Sequence, residues 1–341
     1  MCQSQLSAVV KKPRTQAAIG SLRTEGVYDD SRSVYECGSD TVAIPVTAPP
    51  EETGVLDVIK EVGERRLHTL TDHLRERGWT DAELSEAPGS WAVIGSVILV
   101  DVSQSPRPGE VGEALLDMHG SADTVLAREG IHGEHREPAS RVIAGEGDTA
   151  TVHHEHGTEY ALDLAEVMFS PGNKAERARM GTVVDEGERV LDMFAGIGYF
   201  TLPMARAGAH VTAVERNPTS FQYLMENVVR NDVQDRVETY RADNRDVIAG
   251  GLADGEFAFD RIVMGYYDAY EYLDSALRVL APGGRLHMHE ATPGELVPDR
   301  PVERLREATA AAGRTLTDYE VHEIKGYSEG VEHVVVDAVI E

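Results

Sequence analysis

Two glycines and three acids stand at spacings that suit a nucleotide-like cofactor. An apolar run, Val190-Leu191, ends in Asp192. Gly196-Ile-Gly198 follows, and a second apolar run, Val211-Thr-Ala-Val214, ends in Glu215, 17 residues after Gly198. Glycines let backbone approach a ligand closely, and the start of the next helix favours anionic groups. An acid ending the second strand can accept hydrogen bonds from both hydroxyls of a ribose. A third run ends at Ala242-Asp243-Asn244, where an acid and an amide can meet the amino group and a ring nitrogen of adenine. The plainer reading of that pair is a turn with Asx capping. A dinucleotide fingerprint needs a third glycine for the pyrophosphate. Tyr199, Phe200 and Thr201 fill that space here, so the expected cofactor is S-adenosylmethionine rather than NAD.

The reaction is decided elsewhere. Methyltransferases acting on amino or ring nitrogens place Asn/Asp-Pro-Pro or Asn-x-Pro at the end of the fourth strand. This chain has Met264-Gly-Tyr-Tyr267, with neither Asn nor Pro. Gly265 leaves room beside a sulfonium, and Tyr266 or Tyr267 can stack on a base; both tyrosines also read as ordinary packing. His287 and His289 share a strand face in a way that suits zinc. No third ligand accompanies them, so they read as pocket lining or core, and no metal is expected. His153-His154-x-His156 reads as a turn. Cys2 and Cys37 form no CxxC. No side chain stands out as a general base, so the catalytic residues are left unassigned.

The positioning elements follow from periodicity. From Met168 onward strands and helices alternate: strands at 189–194, 210–215, 237–243, 260–264 and 285–289, and helices near 199–207, 218–230 and 269–280. Alternation of this kind predicts an α/β fold, a Rossmann-like doubly wound, mostly parallel sheet. A run at 332–340 predicts a late antiparallel strand. Upstream, a small α+β unit is expected over 1–50: strand near 7–10, helix after Pro13 stopped by Gly26, strand at 41–46. Residues 47–54 read as a linker. A second α+β domain is expected over 51–165, with a helix carrying Val62, Leu67, Leu70 and Leu74, and one buried strand, Trp91 to Val100, bulged at Gly95. The third domain, 166–341, carries the cofactor site. Arg128, Arg136 and Arg141 surround Gly130-Ile-His-Gly-Glu-His-Arg136, which reads either as an RNA-facing loop or as a solvated one.

The 341 residues contain 59 acidic against 32 basic residues, a net charge of −27. Only five of the basic residues are lysines. An acid-rich, Lys-poor surface stays hydrated in concentrated salt, where the Debye length is only about 3 Å. A halophile's protein is expected. The negative charge does not exclude RNA, because screening also weakens phosphate attraction and leaves shape, stacking and local arginines to carry binding. No apolar run reaches a membrane span, and Met1–Gly20 lacks a signal-peptide core. A monomer in the cytoplasm is expected.

Taken together, Met168-Phe-Ser-Pro-Gly-Asn-x-x-Glu-Arg-x-Arg-Met180, the Asp-Met-Phe-Ala-Gly-Ile-Gly-Tyr-Phe run, Glu215-x-Asn-Pro218, Asp243-Asn-Arg245, Met264-Gly-Tyr266 and His287-x-His-Glu290 resemble one family. It is the archaeal branch of tRNA wybutosine-synthesizing protein 2, a sister group of the tRNA guanine-N1 methyltransferases. The resemblance covers roughly 90–341 well, and the 6–46 unit resembles the accessory N-terminal domain of that group. It implies a class I methyltransferase fold that transfers the 3-amino-3-carboxypropyl group of S-adenosylmethionine to carbon 7 of 4-demethylwyosine in tRNA-Phe, next to the anticodon, releasing 5′-methylthioadenosine. By carry-over, Ser170, Arg177 and Phe194 border the cofactor with Gly196 and Gly198, Glu215 holds the ribose, and Asp243 with Asn244 the adenine. The alternative is guanine-N1 methylation on the same scaffold. His132 and His135 depart from the residues the family loop carries.

Overall fold

The computed structural model describes residues 6–133, 135–252 and 259–341; Cys2 and Glu134 lie outside them. The chain divides after Glu86 into two units. In the first, strands β1 (Leu6–Lys11), β2 (Tyr35–Glu36), β3 (Thr41–Val46) and β4 (Asp57–Ile59) form an antiparallel sheet in the order β2-β3-β1-β4. Helix α1 (Thr15–Thr24) lays Ala18 and Leu22 over Ala8, Val10 and Ile44. It stops where Gly26 takes φ +76°, open to glycine without strain. Strand β4 lies beyond residue 50, so the first sheet takes in chain that composition assigns to the next domain.

The helix expected to span Val62 to Leu74 is shorter. Thr69 and Asp72 form a capping box, each side chain accepting the other's backbone N–H at 3.1 Å, and this fixes the start of α2 (Leu70–Glu76). Thr80 and Glu83 repeat the device at α3 (Asp81–Leu84).

In the second unit, the expected strand at 91–100 is a hairpin. β5 (Trp91–Ile94) turns through Gly95, φ +56°, into β6 (Val97–Val100), with Ile94 opposite Val97. A Cβ on Gly95 would fall 2.1 Å from the Thr151 hydroxyl. Helix α4 (Pro108–Met118) crosses to β7 (Thr124–His132), which pairs in parallel with β6, and β8 (Glu137–Gly145) closes that sheet. A further hairpin, β9 (Ala150–Glu155) and β10 (Thr158–Asp163), follows.

The seven-stranded sheet has the order β13-β12-β11-β14-β15-β17-β16. Its strands are β11 (Arg189–Asp192), β12 (His210–Val214), β13 (Val237–Tyr240), β14 (Phe259–Met264), β15 (Leu280–Pro293), β16 (Leu316–Ser328) and β17 (Val331–Ile340). The central strands run parallel; β17 runs antiparallel to both its neighbours. Val190, Leu191, Ala213, Ile262 and Val263 are all inaccessible to solvent, as parallel strands covered on both faces require. The covering helices are α5 (Lys174–Val183), α6 (Thr201–Arg206), α7 (Pro218–Arg230), α8 (Asn244–Val247), α9 (Leu273–Val279) and α10 (Asp299–Ala311). The switch in strand order lies between β11 and β14, where such folds open a crevice at the carboxyl ends of the strands.

Candidate active site

The pocket at that crevice is built by strand ends. After β11 the chain turns at Gly196, φ +57°, and Gly198, φ +102°. The two glycines do different work. Gly196 lines the pocket, and a Cβ there would meet the Tyr199 ring at 2.3 Å. Gly198 does not line it: a Cβ would meet Leu202 at 2.8 Å and Leu224 at 3.3 Å, so Gly198 lets α6 and α7 pack close. Of the eight residues expected around the cofactor, Ser170, Arg177, Phe194, Gly196, Glu215, Asp243 and Asn244 border this pocket.

Glu215 ends β12. One carboxylate oxygen accepts the Gly196 N–H at 2.8 Å and the other the Asn217 N–H at 2.7 Å. Burial pushes its pKa above the usual carboxylate range, against those two hydrogen bonds. Each oxygen keeps a lone pair for a further donor. Asp192, fully buried below the turn, accepts from Thr201 Oγ1 at 2.7 Å and from the Phe194 N–H at 3.3 Å. Burial drives its pKa up to about 6. It braces the turn and is not a pocket residue.

After β13, Asp243 caps α8 by accepting the Arg245 N–H, and pairs with the Arg245 guanidinium at 2.7 Å. Arg245 first, with its backbone N–H and Arg216, holds the Asp243 pKa below the usual range despite burial. Asn244 is buried; its amide donates to the Met193 carbonyl at 2.9 Å, while its Oδ1 is buried with no partner. Asp243 thus caps α8, and both residues also line the pocket.

Arg177 borders the pocket as expected, but its guanidinium is engaged within the protein. It is 2 % exposed, and its Nε and Nη2 bind both oxygens of Glu155 at 2.7 and 2.9 Å, while Nη1 donates to the Ser170 carbonyl. It is neither a surface ion pair nor a free cation. Glu155, though desolvated, is held down to about 2 by hydrogen bonds from His153 and Arg177. Gly95 N–H donates to His153 Nδ1, so Nε2 carries the hydrogen that meets Glu155. Ser170 is no helix cap: its hydroxyl meets Lys325 Nζ at 2.5 Å.

Aromatic rings form the outer wall. Phe194 stacks on Tyr266 at 5.2 Å and meets Tyr272 edge-on at 5.0 Å. Arg136 lies over Tyr267 at 5.2 Å and Tyr266 at 5.9 Å. Its loop is tied down by Asn217, whose amide donates to the His135 carbonyl at 3.1 Å and whose oxygen caps α7. At the fourth strand end, a Cβ on Gly265 would meet the Phe200 ring at 2.8 Å. A groove sharing Arg136, Met168, Ser170 and Tyr267 with the pocket adds Arg128, Lys325 and Tyr327. Burial first, then Arg177, Arg128 and Arg136, lower the Lys325 pKa. A cationic cluster therefore adjoins the pocket of a strongly acidic protein.

His287 is consumed by structure: Arg261 donates to its Nε2 at 2.6 Å and its Nδ1 faces Asp337. His289 instead faces His333 and lines the pocket. Among the described residues no three His, Cys, Asp or Glu side chains are grouped to hold a metal ion. Arg136, Tyr272 and His333 are pocket residues that strand-end spacing does not reveal, since they come from a remote loop, a helix start and the last strand.

Residues 151–317 match the TRM5/TYW2 methyltransferase domain, and residues 70–149 match the TYW2 N-terminal domain. The chain is 40 % identical over 254 residues to the tRNA(Phe) (4-demethylwyosine(37)-C(7)) aminocarboxypropyltransferase of Pyrococcus horikoshii, spanning 73 % of this chain and 88 % of that one. The chain belongs to the tRNA wybutosine-synthesizing protein 2 family. A crystal structure of P. horikoshii TYW2 in complex with MeSAdo superposes with a TM-score of 0.67 at 35 % identity, covering 79 % of this chain and 97 % of that one. Trm5b of Pyrococcus abyssi, a tRNA (guanine(37)-N(1))-methyltransferase, is 29 % identical over 97 % of this chain and 98 % of its own; its structure gives a TM-score of 0.74 over 98 % of this chain and 99 % of that one. The family fold is thus shared with a sister activity, and the site must separate the two.

Proposed function

We propose that this chain transfers the 3-amino-3-carboxypropyl group of S-adenosylmethionine to carbon 7 of 4-demethylwyosine in tRNA(Phe), releasing 5′-methylthioadenosine. The observation that carries the reading is the end of β14. Met264-Gly265-Tyr266 offers neither an Asn nor a Pro to clamp a ring nitrogen, and the aminocarboxypropyltransferase of P. horikoshii is 40 % identical. The guanine-N1 methyltransferase reading keeps one observation in its favour, the match of Trm5b along nearly the whole chain.

The residues fit the donor. The Gly196 cradle would be filled by any Cβ, Glu215 retains lone pairs beside it, and Asn244 Oδ1 is buried without a partner. Glu215 is the acceptor for ribose hydroxyls; Asp243 and Asn244 bracket an adenine edge, with Phe194 beside them. Bound S-adenosylmethionine supplies a sulfonium whose attached carbons are open to a nucleophile. The chain's own contribution is orientation, which can be worth several kcal/mol: it decides which carbon meets the acceptor. The aromatic wall of Tyr266 and Tyr267 under Arg136 suits a tricyclic base by stacking and cation–π contact. Arg128, Arg136 and Lys325 line the groove that suits the anticodon region of the RNA. No helix of the described residues is long and apolar enough to cross a membrane. We read the protein as a cytoplasmic monomer of a halophilic archaeon, on its composition.

The test is incubation with tRNA carrying 4-demethylwyosine and S-adenosylmethionine labelled separately in methyl and carboxyl carbons. Carboxyl label in the RNA with release of methylthioadenosine is the expected result. Methyl label in the RNA establishes the sister activity instead.

A further inference from the structure

His289 and His333 are 2 % and 0 % exposed, and His289 Nδ1 lies 3.0 Å from His333 Nε2. The outer nitrogens, His289 Nε2 and His333 Nδ1, are buried with no hydrogen-bond partner. Both residues line the pocket. A buried polar atom left unpaired costs roughly 1–3 kcal/mol, and such atoms in a folded protein call for a reason. Here two lie in one pair, on adjacent strands β15 and β17, in residues that both line one pocket.

One hydrogen joins the two rings, and it can belong to either. If His289 donates it, His289 Nε2 is a lone pair and His333 Nδ1 carries hydrogen; if His333 donates it, the roles exchange. In both arrangements one outer nitrogen accepts and the other donates. A proton taken up at the accepting end shifts the shared hydrogen and frees a proton at the far end. Burial, then His287 and Arg179 for His289, and His289 and Lys325 for His333, lower both pKa values to about 3. The pair is therefore neutral near pH 7 and passes a proton on rather than storing it. Its location suits that work. His289 packs on Phe200 at 5.2 Å, beside the cofactor turn, and His333 packs edge-on to Tyr267 at 4.8 Å, in the wall below Arg136.

We propose that the His289–His333 pair accepts and relays the proton that the acceptor base loses during aminocarboxypropyl transfer. This rests on the activity proposed above. The C7–Cγ bond forms as the Cγ–S bond breaks, its electron pair leaving on the sulfur of methylthioadenosine. The C7 proton then passes to the accepting outer nitrogen, the C–H electron pair restores the aromatic ring, and the far nitrogen gives its proton to water once product release opens the pocket.

The experiment is single-turnover transfer by wild type, His289→Asn, His333→Asn and the double variant, with acceptor RNA carrying hydrogen or deuterium at C7. Each single variant is expected to transfer about 10²-fold more slowly, the scale of a lost proton acceptor, with unchanged S-adenosylmethionine affinity by calorimetry. The deuterium effect is expected to rise above wild type in each, and the double variant to be no slower than the slower single, because the pair acts as a unit. Wild-type rate in both single variants, an unchanged isotope effect, or losses that multiply in the double variant overturn the proposal. Should the asparagine variants fail to fold, the wild-type rate in mixtures of light and heavy water decides: two protons moving together give a curved dependence, and a straight or flat one overturns the relay. Failure of wild type to move carboxyl label at all is a separate result; it removes the activity and the relay with it.

Discussion

Glu215 does two jobs with one carboxylate: it fixes the turn by holding the N–H groups of Gly196 and Asn217, and it keeps lone pairs facing the pocket. Hydrogen bonds to a charged group contribute roughly 1.5–3 kcal/mol each, so Glu215→Ala is expected to weaken S-adenosylmethionine binding at least tenfold by calorimetry, and unchanged affinity removes it from the ribose site. Its pKa is raised by burial. The ionised form is the better acceptor, so affinity is expected to hold at neutral pH and to fall on acidification, starting at higher pH than for an exposed carboxylate. Glu215→Gln should bind weakly with that dependence gone; a pH profile identical to wild type assigns the titration elsewhere. At this scale the strand-end residues were legible, because β-strands deliver their last side chains to one edge and Glu215, Asp243 and Asn244 stand there. The packing role of Gly198 and the partner of Arg177 were not: a glycine that admits a ligand and one that admits a helix read alike, and nothing local reveals that Arg177, which does border the pocket, is engaged by Glu155, 22 residues away. His289 was visible as a motif, but its partner His333 comes from another strand, and pairing across β15 and β17 leaves no spacing signal.

Among the elements bordering the pocket, α5 carries Arg177 and is held by a buried ion pair. Arg177 on α5 grips Glu155 at the end of β9, and Glu155 is in turn met by His153. Breaking a buried pair leaves a charge uncompensated, at about 3–5 kcal/mol. Glu155→Gln is therefore expected to lower the melting temperature by several degrees at neutral pH, whereas loss of an exposed pair such as Arg75–Asp81 should leave it unchanged. The sign with pH follows. The folded pKa of Glu155 lies near 2, below its ordinary 4.5, so its stabilisation is present above pH 4.5 and is lost as pH falls toward 2. The variant should melt with less acid sensitivity across that window; an equal slope in both proteins refutes the role. The same scale shows what periodicity can carry. The parallel strands were readable because both faces are buried and the apolar runs are continuous. Helix α10 was not, since among Asp299–Ala311 only a narrow stripe, Val302, Leu305 and Thr309 with Pro301, is buried beneath charged neighbours. Edge strand β16 is mostly exposed and polar, which hides it in the same way. The 91–100 run reads as one strand because apolar residues continue on both sides of Gly95-Ser96, and the reversal rests on the positive φ of Gly95.

For the whole molecule the governing quantity is charge. A net −27 repels itself over about 10 Å at 0.1 M salt but over only about 3 Å at 1 M. Surface repulsion should therefore oppose folding at low salt and fade as KCl rises, while the buried pairs Arg177–Glu155 and Arg261–Glu188, both almost inaccessible to solvent, are little screened. The melting temperature is expected to climb with KCl between about 0.1 and 2 M, and a flat curve by calorimetry would show that the acidic surface is simply solvated. Binding to RNA should move the opposite way, but weakly. If Arg128, Arg136 and Lys325 make the phosphate contacts, three released counterions give a slope of log affinity against log salt of roughly −2 to −3. Titration of tRNA at several KCl concentrations checks this. A slope far steeper assigns binding to additional cations outside the groove; a slope near this value leaves stacking on Tyr266 and Tyr267 and the fit of the pocket as the terms that survive concentrated salt. Stability that rises with salt and affinity that declines slowly together define a working range at high ionic strength, which is where a chain with 59 acids and five lysines would place an RNA-modifying enzyme.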